Sequence, residues 1–370
     1  MPTENLRNAK AGKNDEFYTQ FHDIEIELNA YIEYNPDVFR AKTVLLPCDD
    51  PEWSNFTRFF EAKFDELGLK RLISTSYAPD SKSMVMGGIF SEWERTSPRF
   101  DEQKSRICGR VLIMERNEAG QSYHREWTYL EGDGDFRSSE VTRYRDEADI
   151  IVTNPPFSLF REFLAWLVAG QKQFVIIGNI NAITYKETFP LIMNNKMWLG
   201  SSIHSGDREF QVPETYPMNA AGWRVDASGR RFIRVKGVRW FTNIDHGRRH
   251  EPLVLMTMEE NCRFSKHKEL RDIGYRHYDN YDAIEVPYTD AIPSDYEGVM
   301  GVPISWLDKY NPEQFEIVGI TERGNAYGYR TKVYTRRDSP KYSDWNCRAT
   351  LNIEGTIRPM YARILIRKRV

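Results

Sequence analysis

Asn154-Pro155-Pro156-Phe157 is the segment whose residue types and spacing carry the most specific chemistry. An exocyclic amine on adenine is a poor nucleophile, because its lone pair is delocalised into the ring. Two fixed hydrogen-bond acceptors counter this by favouring the positive charge that develops on nitrogen as it attacks. The side-chain oxygen of Asn154 and the backbone carbonyl of Pro155 form such a pair. The prolines bring no N–H and restrict their own and their neighbours' torsions, so a stiff loop aims that carbonyl. Phe157 adds an aromatic face on which an extruded base can stack. A bare Asn-Pro-Pro could equally be a loop breaker. Here it lies between a buried-strand pattern, Asp149 to Thr153, and an amphipathic stretch, Ser158 to Ala169, with Leu159, Phe163, Trp166 and Leu167 on one side. Ligands of open parallel sheets sit beyond the carboxyl ends of the strands, where this loop falls.

The elements that must hold the loop read as alternating helices and strands, which predicts a parallel α/β sheet in the first half. A helix is expected over His22 to Tyr34 and a buried strand over Thr43 to Leu46. Trp53 to Gly68 has Phe56, Phe59, Phe60, Phe64 and Leu67 at helical intervals and stops on a glycine. Strands are expected at Arg71 to Ser74, Arg110 to Glu115, Trp127 to Leu130 and Phe174 to Ile177. Beyond Leu191 a hairpin is expected, Trp223 to Val225 and Arg231 to Val235 around Asp226-Ala227-Ser228-Gly229, with further strands at Val238 to Thr242 and Leu253 to Met258. Tyr, Pro and Gly become frequent after Asn261, which sets an expected boundary near residue 260.

Of the 370 residues, 40% are hydrophobic and 28% charged, the values of an ordinary globular protein. No run approaches the ~18 apolar residues that a membrane-spanning helix needs. Met1 to Lys13 lacks the apolar core of a signal peptide, so a cytoplasmic protein is expected. Cys48, Cys108, Cys262 and Cys347 have no CxxC spacing and the histidines have no ligand spacing, so no metal is expected. The net charge of −3 hides an asymmetry. Ala221 to Arg276 holds 13 Lys/Arg against 7 Asp/Glu, and Thr321 to Val370 holds 12 against 4, so the remainder carries −17. A basic face on an acidic protein points to a polyanionic partner, although solvated surface charge would look the same.

The four-residue loop is similar to the (D/N)PP(Y/F) signature of amino-methyltransferases. The whole chain resembles the EcoRI-type adenine-specific DNA methyltransferases. The resemblance is carried by Asn14-Asp15-Glu16-Phe17-Tyr18-Thr19-Gln20, by Cys48-Asp49-Asp50-Pro51-Glu52-Trp53-Ser54-Asn55-Phe56, by Arg239-Trp240-Phe241-Thr242-Asn243 and by Gly301-Val302-Pro303-Ile304-Ser305-Trp306-Leu307. It implies a Rossmann-like sheet that binds S-adenosylmethionine over residues 1–260, and an appended mixed α+β DNA-recognition region over 261–370. The implied reaction is methyl transfer from S-adenosylmethionine to N6 of a flipped adenine in double-stranded DNA. The implied setting is a bacterial or phage-infected cell, where a cognate restriction endonuclease can act on the same site.

The resemblance also nominates a donor site. Phe17, Tyr18 and Thr19 are similar to an FYTP-like element that holds the donor's methionine end. Asp49 and Asp50 replace the usual Gly-rich turn, and one of the two is implied near the donor's ammonium group; capping of the following helix is the alternative. Asp135 and Phe136 resemble the pair that binds the donor's adenine, and a plain Asp-Gly turn is the alternative there. No acid adjoins the strand at Arg71 to Ser74, where one is expected to hold the ribose hydroxyls. DNA-backbone contacts are expected from Arg230, Arg231, Arg234, Lys236, Arg248 and Arg249, with the basic tail from Arg323 to Arg369 as the other candidate. Three rival readings remain: an RNA or protein-glutamine methyltransferase, a cytosine-C5 enzyme using Cys48 as nucleophile, and a DNA-binding relative without catalysis.

Overall fold

Runs of branched aliphatic residues that do not alternate with polar ones should become strands covered on both faces. In the computed structural model, which describes residues 19–52, 54–78, 98–117, 122–204, 207–212, 222–323 and 328–369, Thr43–Leu46 (β1) and Ile150–Thr153 (β5) are buried at every position. The chain forms two compact units, one drawn from 1–179 and 200–246, the other from 180–199 and 247–370.

The first unit is built on a mixed sheet. Its strands are β1, Arg71–Ser76 (β2), Arg110–Arg116 (β3), Tyr123–Tyr129 (β4), β5, Gln173–Asn179 (β6) and Val238–Thr242 (β10). They lie in the order β4-β3-β2-β1-β5-β6-β10. Only the central four run parallel; β3, β4 and β10 are antiparallel additions, so the expected parallel sheet is the core of a mixed one. From β1 the chain moves to β2 on one side and later returns to place β5 on the other. That reversal opens a crevice at the carboxyl ends of β1 and β5, where α/β sheets bind ligands.

Helices cover the sheet as the apolar spacing requires. Phe21–Tyr34 (α1) buries Ile24, Leu28 and Tyr31, one stripe at i, i+4 and i+7. Asn55–Ala62 (α2) starts at the Ser54 cap, whose hydroxyl accepts from Phe56 N, and buries Phe56, Phe59 and Phe60. The turns that follow carry Phe64 and Leu67 into the same core. Glu102–Ile107 (α3) and Ser139–Glu147 (α4) follow, and Phe160–Ala169 (α5) comes after the Asn-Pro-Pro-Phe loop. A separate antiparallel sheet of Asp207–Val212 (β7), Arg224–Val225 (β8) and Arg231–Lys236 (β9) confirms the expected hairpin. It adds Phe210, Val212 and Ile233 to the main core.

In the second unit Arg276–His277, Ile284–Glu285, Met300–Pro303, Arg363–Lys368 and Phe315–Ile320 form a five-stranded sheet in that spatial order. Leu253 to Met258 is not a strand: residues 251–257 are irregular, and Thr257 caps the helix Met258–Phe264 with a full capping box. The division between units falls at residue 246, not near 260. The chain also enters the second unit early, because the helix Phe189–Met193 packs on the strand Phe315–Ile320.

Candidate active site

β5 delivers the Asn-Pro-Pro-Phe loop to the crevice. Thr153, fully buried, donates its hydroxyl to Asp49 Oδ2 at 2.6 Å. Asn154 Nδ2 donates to Thr19 Oγ1 at 3.3 Å, which places the Oδ1 edge of the amide away from Thr19. Pro156 is extended (φ −54°, ψ 124°) and its carbonyl accepts from Leu159 N at 2.9 Å. A 3-10 turn, Phe157–Leu159, therefore intervenes, and the α-helix starts at Phe160, two residues later than the sequence pattern suggests. Phe157 is half-buried, with its ring against the main core.

The β1–α2 loop is pinned by hydroxyls, not shaped by glycine. Ser74 Oγ donates to the Asp49 carbonyl at 2.6 Å and lies 2.8 Å from Thr57 Oγ1, and Thr75 Oγ1 reaches the Pro47 carbonyl at 3.1 Å. The two aspartates separate by direction. Asp49 is buried and accepts from Ser54 Oγ at 2.7 Å as well as from Thr153. Asp50 caps the turn through Glu52 N at 2.8 Å, and its Oδ2 lies 3.8 Å from Arg110 Nη2. Glu52 pairs with Arg110 at 3.1 Å, both side chains nearly buried. Neither Glu52 nor Arg110 stood out in the sequence, where no spacing joins them.

Gly132 to Phe136 lies against the end of β2. Ala78 N donates to the Asp133 carbonyl and Gly109 N to the Gly132 carbonyl, both at 2.8 Å. Gly134 (φ +82°) must be glycine: a Cβ there would stand 2.2 Å from the Ser76 carbonyl, and one on Gly109 would stand 2.7 Å from Gly134 Cα. This contact brings Asp133, half-buried and without an ion-pair partner among the described residues, to the strand end where an acid was wanted. Asp135 is engaged twice by Arg137, at 2.9 and 2.6 Å, and Arg137 also binds Glu162 at 2.7 Å. The Phe136 ring is buried edge-on against Phe163 and Trp166, with centroids at 5.0 and 5.6 Å. Its place in this structure is the core under α5. Phe17 and Tyr18 lie outside the described residues.

The basic candidates divide. Arg230 is paired with Asp226 at 2.7 Å; the Ser228 hydroxyl, with the N–H groups of the turn, holds that carboxyl at about 2. Arg231 and Lys236 meet no acid among the described residues, and Arg234 stands opposite Glu209, whose carboxylate is already taken by Arg224 at 2.6 Å. In the second unit, Arg248 is part-exposed without an acidic partner among the described residues. Its neighbour Arg249 is buried, with the guanidinium 3.8 Å from the Trp198 ring centroid and bonded to Asn195. A buried Arg249 is not available to a duplex surface. The second unit also holds a cleft of about 450 Å³ whose lining includes Asn181, Thr184, Arg348 and Tyr361, with Arg348 fixed by Glu322 at 3.1 Å.

The structure thus brings the Asn-Pro-Pro-Phe loop, the Asp49-Asp50 loop and the Gly132 to Phe136 segment to the same ends of β5, β1 and β2. The family model described as adenine-specific methyltransferase EcoRI matches residues 5–369. The chain is 43% identical to the Type II methyltransferase M.EcoRI of Escherichia coli over 322 residues, 86% of this chain and 90% of that one. It is 32% identical to the Type II methyltransferases M.MpnI of Mycoplasma pneumoniae and M.MgeORF184P of Mycoplasma genitalium, covering 98% of each chain in both cases. No solved structure matches the chain. The protein belongs to the EcoRI family of adenine-specific methyltransferases. Adenine-specific DNA methylation is its activity, and nothing favours the RNA, protein, cytosine-C5 or inactive readings.

Proposed function

We propose that the first unit is a Rossmann-like catalytic domain that transfers a methyl group to N6 of an adenine flipped out of double-stranded DNA, and that the second unit takes part in recognising the target site. The observation that carries this reading is the Asn154 loop at the carboxyl end of β5, whose last strand residue, Thr153, is hydrogen-bonded to Asp49 in the loop after β1 across the sheet reversal. S-adenosylmethionine supplies an activated methyl group on a sulfonium. The residues fit that donor chemically, because its ammonium group and ribose hydroxyls call for carboxylates. Asp50 and Asp133 stand at the ends of β1 and β2, and the acid missing from β2 is supplied by the Asp133 loop. Asn154 Oδ1 and the Pro155 carbonyl accept the two N6 hydrogens, and the half-exposed face of Phe157 stacks on the base. Holding the amine in line with the methyl group supplies the rest of the rate.

Flipping costs a few kcal/mol, and phosphate contacts offset it. Arg231, Arg234 and Lys236 on the hairpin and Arg248 in the second unit make them. Arginine and asparagine are the side chains that pair with guanine and adenine edges, so the cleft with Asn181 and Arg348 reads bases. The test is to incubate the protein with tritiated S-adenosylmethionine and duplex DNA, RNA or bulk protein, then to digest and separate the nucleosides. Label is expected in N6-methyldeoxyadenosine alone. Label in N4-methyldeoxycytidine, in RNA or in protein would overturn the assignment.

A further inference from the structure

A closed hydrogen-bonded circuit runs through Asn154. Asn154 Nδ2 donates to Thr19 Oγ1 (3.3 Å), and the Thr19 carbonyl accepts from Asn55 Nδ2 (2.8 Å). Asn55 follows Ser54 in the chain, and Ser54 Oγ donates to Asp49 Oδ1 (2.7 Å). Asp49 Oδ2 accepts from Thr153 Oγ1 (2.6 Å), and Thr153 precedes Asn154. Three separate pieces of chain meet in this ring: the residues before α1, the cap of α2 with the loop before it, and the end of β5. Thr19, Asp49, Ser54 and Thr153 are all at least nine-tenths buried, so water offers them little alternative.

We propose that Thr19, Asn55 and Asp49 are positioning residues that fix the rotamer of Asn154 and tie the catalytic loop to the segment leading into α1. The proposal rests on the reading of Asn154 as the acceptor of the target amine. Its physical basis is geometric. A planar amide presents a donor edge and an acceptor edge in fixed relation, so anchoring Nδ2 on Thr19 sets where Oδ1 points. Asp49, shared between Ser54 and Thr153, holds the backbone on both sides of that anchor. This assigns Asp49 inward and leaves Asp50 as the aspartate of the pair that faces the donor. It also separates Thr19 from donor binding: its side chain serves Asn154.

The test uses the full-length protein with Thr19→Val, which keeps the shape and removes the hydroxyl, and Thr19→Ser, which restores it. Single-turnover methyl transfer to duplex DNA is measured beside affinity for S-adenosylhomocysteine and thermal midpoint. The Thr19→Val rate should fall about tenfold, the loss expected of one positioning hydrogen bond. Affinity for the demethylated product should stay within about twofold, and Thr19→Ser should recover most of the rate. In an Asn154→Ala background Thr19→Val should change nothing further, because it acts through that side chain. An unchanged rate in Thr19→Val overturns the proposal, as does a rate loss matched by lost product affinity, or a full additional loss in the Asn154→Ala background. A wild-type rate in Asn154→Ala alone defeats the underlying catalytic reading instead, so the two failures are distinguishable.

Discussion

Asp49 and Asp50 adjoin in sequence yet serve different neighbours, one the buried hydroxyls of Ser54 and Thr153, the other Arg110. Adjacent identical residues carry no sign of which turns inward; only the pairing of β1 with β5 decides it. The position of Asn154 and Phe157 at the carboxyl end of β5 was legible, because a buried strand followed by Asn-Pro-Pro and an amphipathic stretch leaves few alternatives. The placement of Asp133 beside the end of β2 was not legible, because it comes from the close approach of Gly134 to the Ser76 carbonyl, 58 positions earlier in the chain. Asp133→Asn should weaken S-adenosylmethionine and its demethylated product alike by about tenfold or more, the worth of a hydrogen bond to a charged group. Calorimetry would check this, and equal affinities in variant and wild type would remove Asp133 from the donor site.

Element by element, the strands around the crevice follow from unbroken aliphatic runs, and α1, α2 and α5 from apolar stripes. The exceptions have local causes. α5 starts late because Phe157–Leu159 first close a 3-10 turn on the Pro156 carbonyl, and the strand expected to run to Met258 gives way there to a helix that begins under the Thr257–Glu260 capping box. The β8–β9 hairpin was readable from its Asp-Ala-Ser-Gly turn, but its charge was not. Arg230 and Arg224 are neutralised by Asp226 and Glu209, which leaves Arg231, Arg234 and Lys236. Changing these three to alanine should lower the slope of log affinity against log salt by about 0.9 for each phosphate no longer neutralised. All duplexes should weaken alike, because phosphate carries no sequence. A filter-binding series from low to high salt would read it, and an unchanged slope would move the clamp to the basic tail. Arg249→Ala should instead leave the slope intact and destabilise the fold by about 2 kcal/mol, the scale of a desolvated cation–π contact. A lower thermal midpoint with a wild-type salt slope is the expected pairing.

On the scale of the molecule, the charge asymmetry is local and does not follow the units. The second unit holds 22 Lys/Arg and 19 Asp/Glu, because residues 277–320 carry nine acids against one lysine. Its positive charge is therefore concentrated after Thr321, beside the cleft that contains Arg348. The boundary between units was illegible in composition, since the visit of residues 180–199 to the second unit depends on packing of Phe189–Met193. If the cleft reads bases, Arg348→Ala should relax which sites are methylated and cost about 1–3 kcal/mol at one base pair. Sequencing of modified sites in DNA from expressing cells would distinguish this from the uniform weakening expected of the hairpin variant. An unaltered site preference would exclude Arg348 from readout.

The central claim is that the amide of Asn154 assists transfer to an adenine amine. Its most direct measurement is single-turnover methylation of duplex DNA by Asn154→Ala, with donor affinity determined on the same preparation. Removing one preorganised acceptor should slow transfer by about a hundredfold or more, while donor affinity stays near that of the wild type. A variant that transfers methyl groups at the wild-type rate would contradict the account.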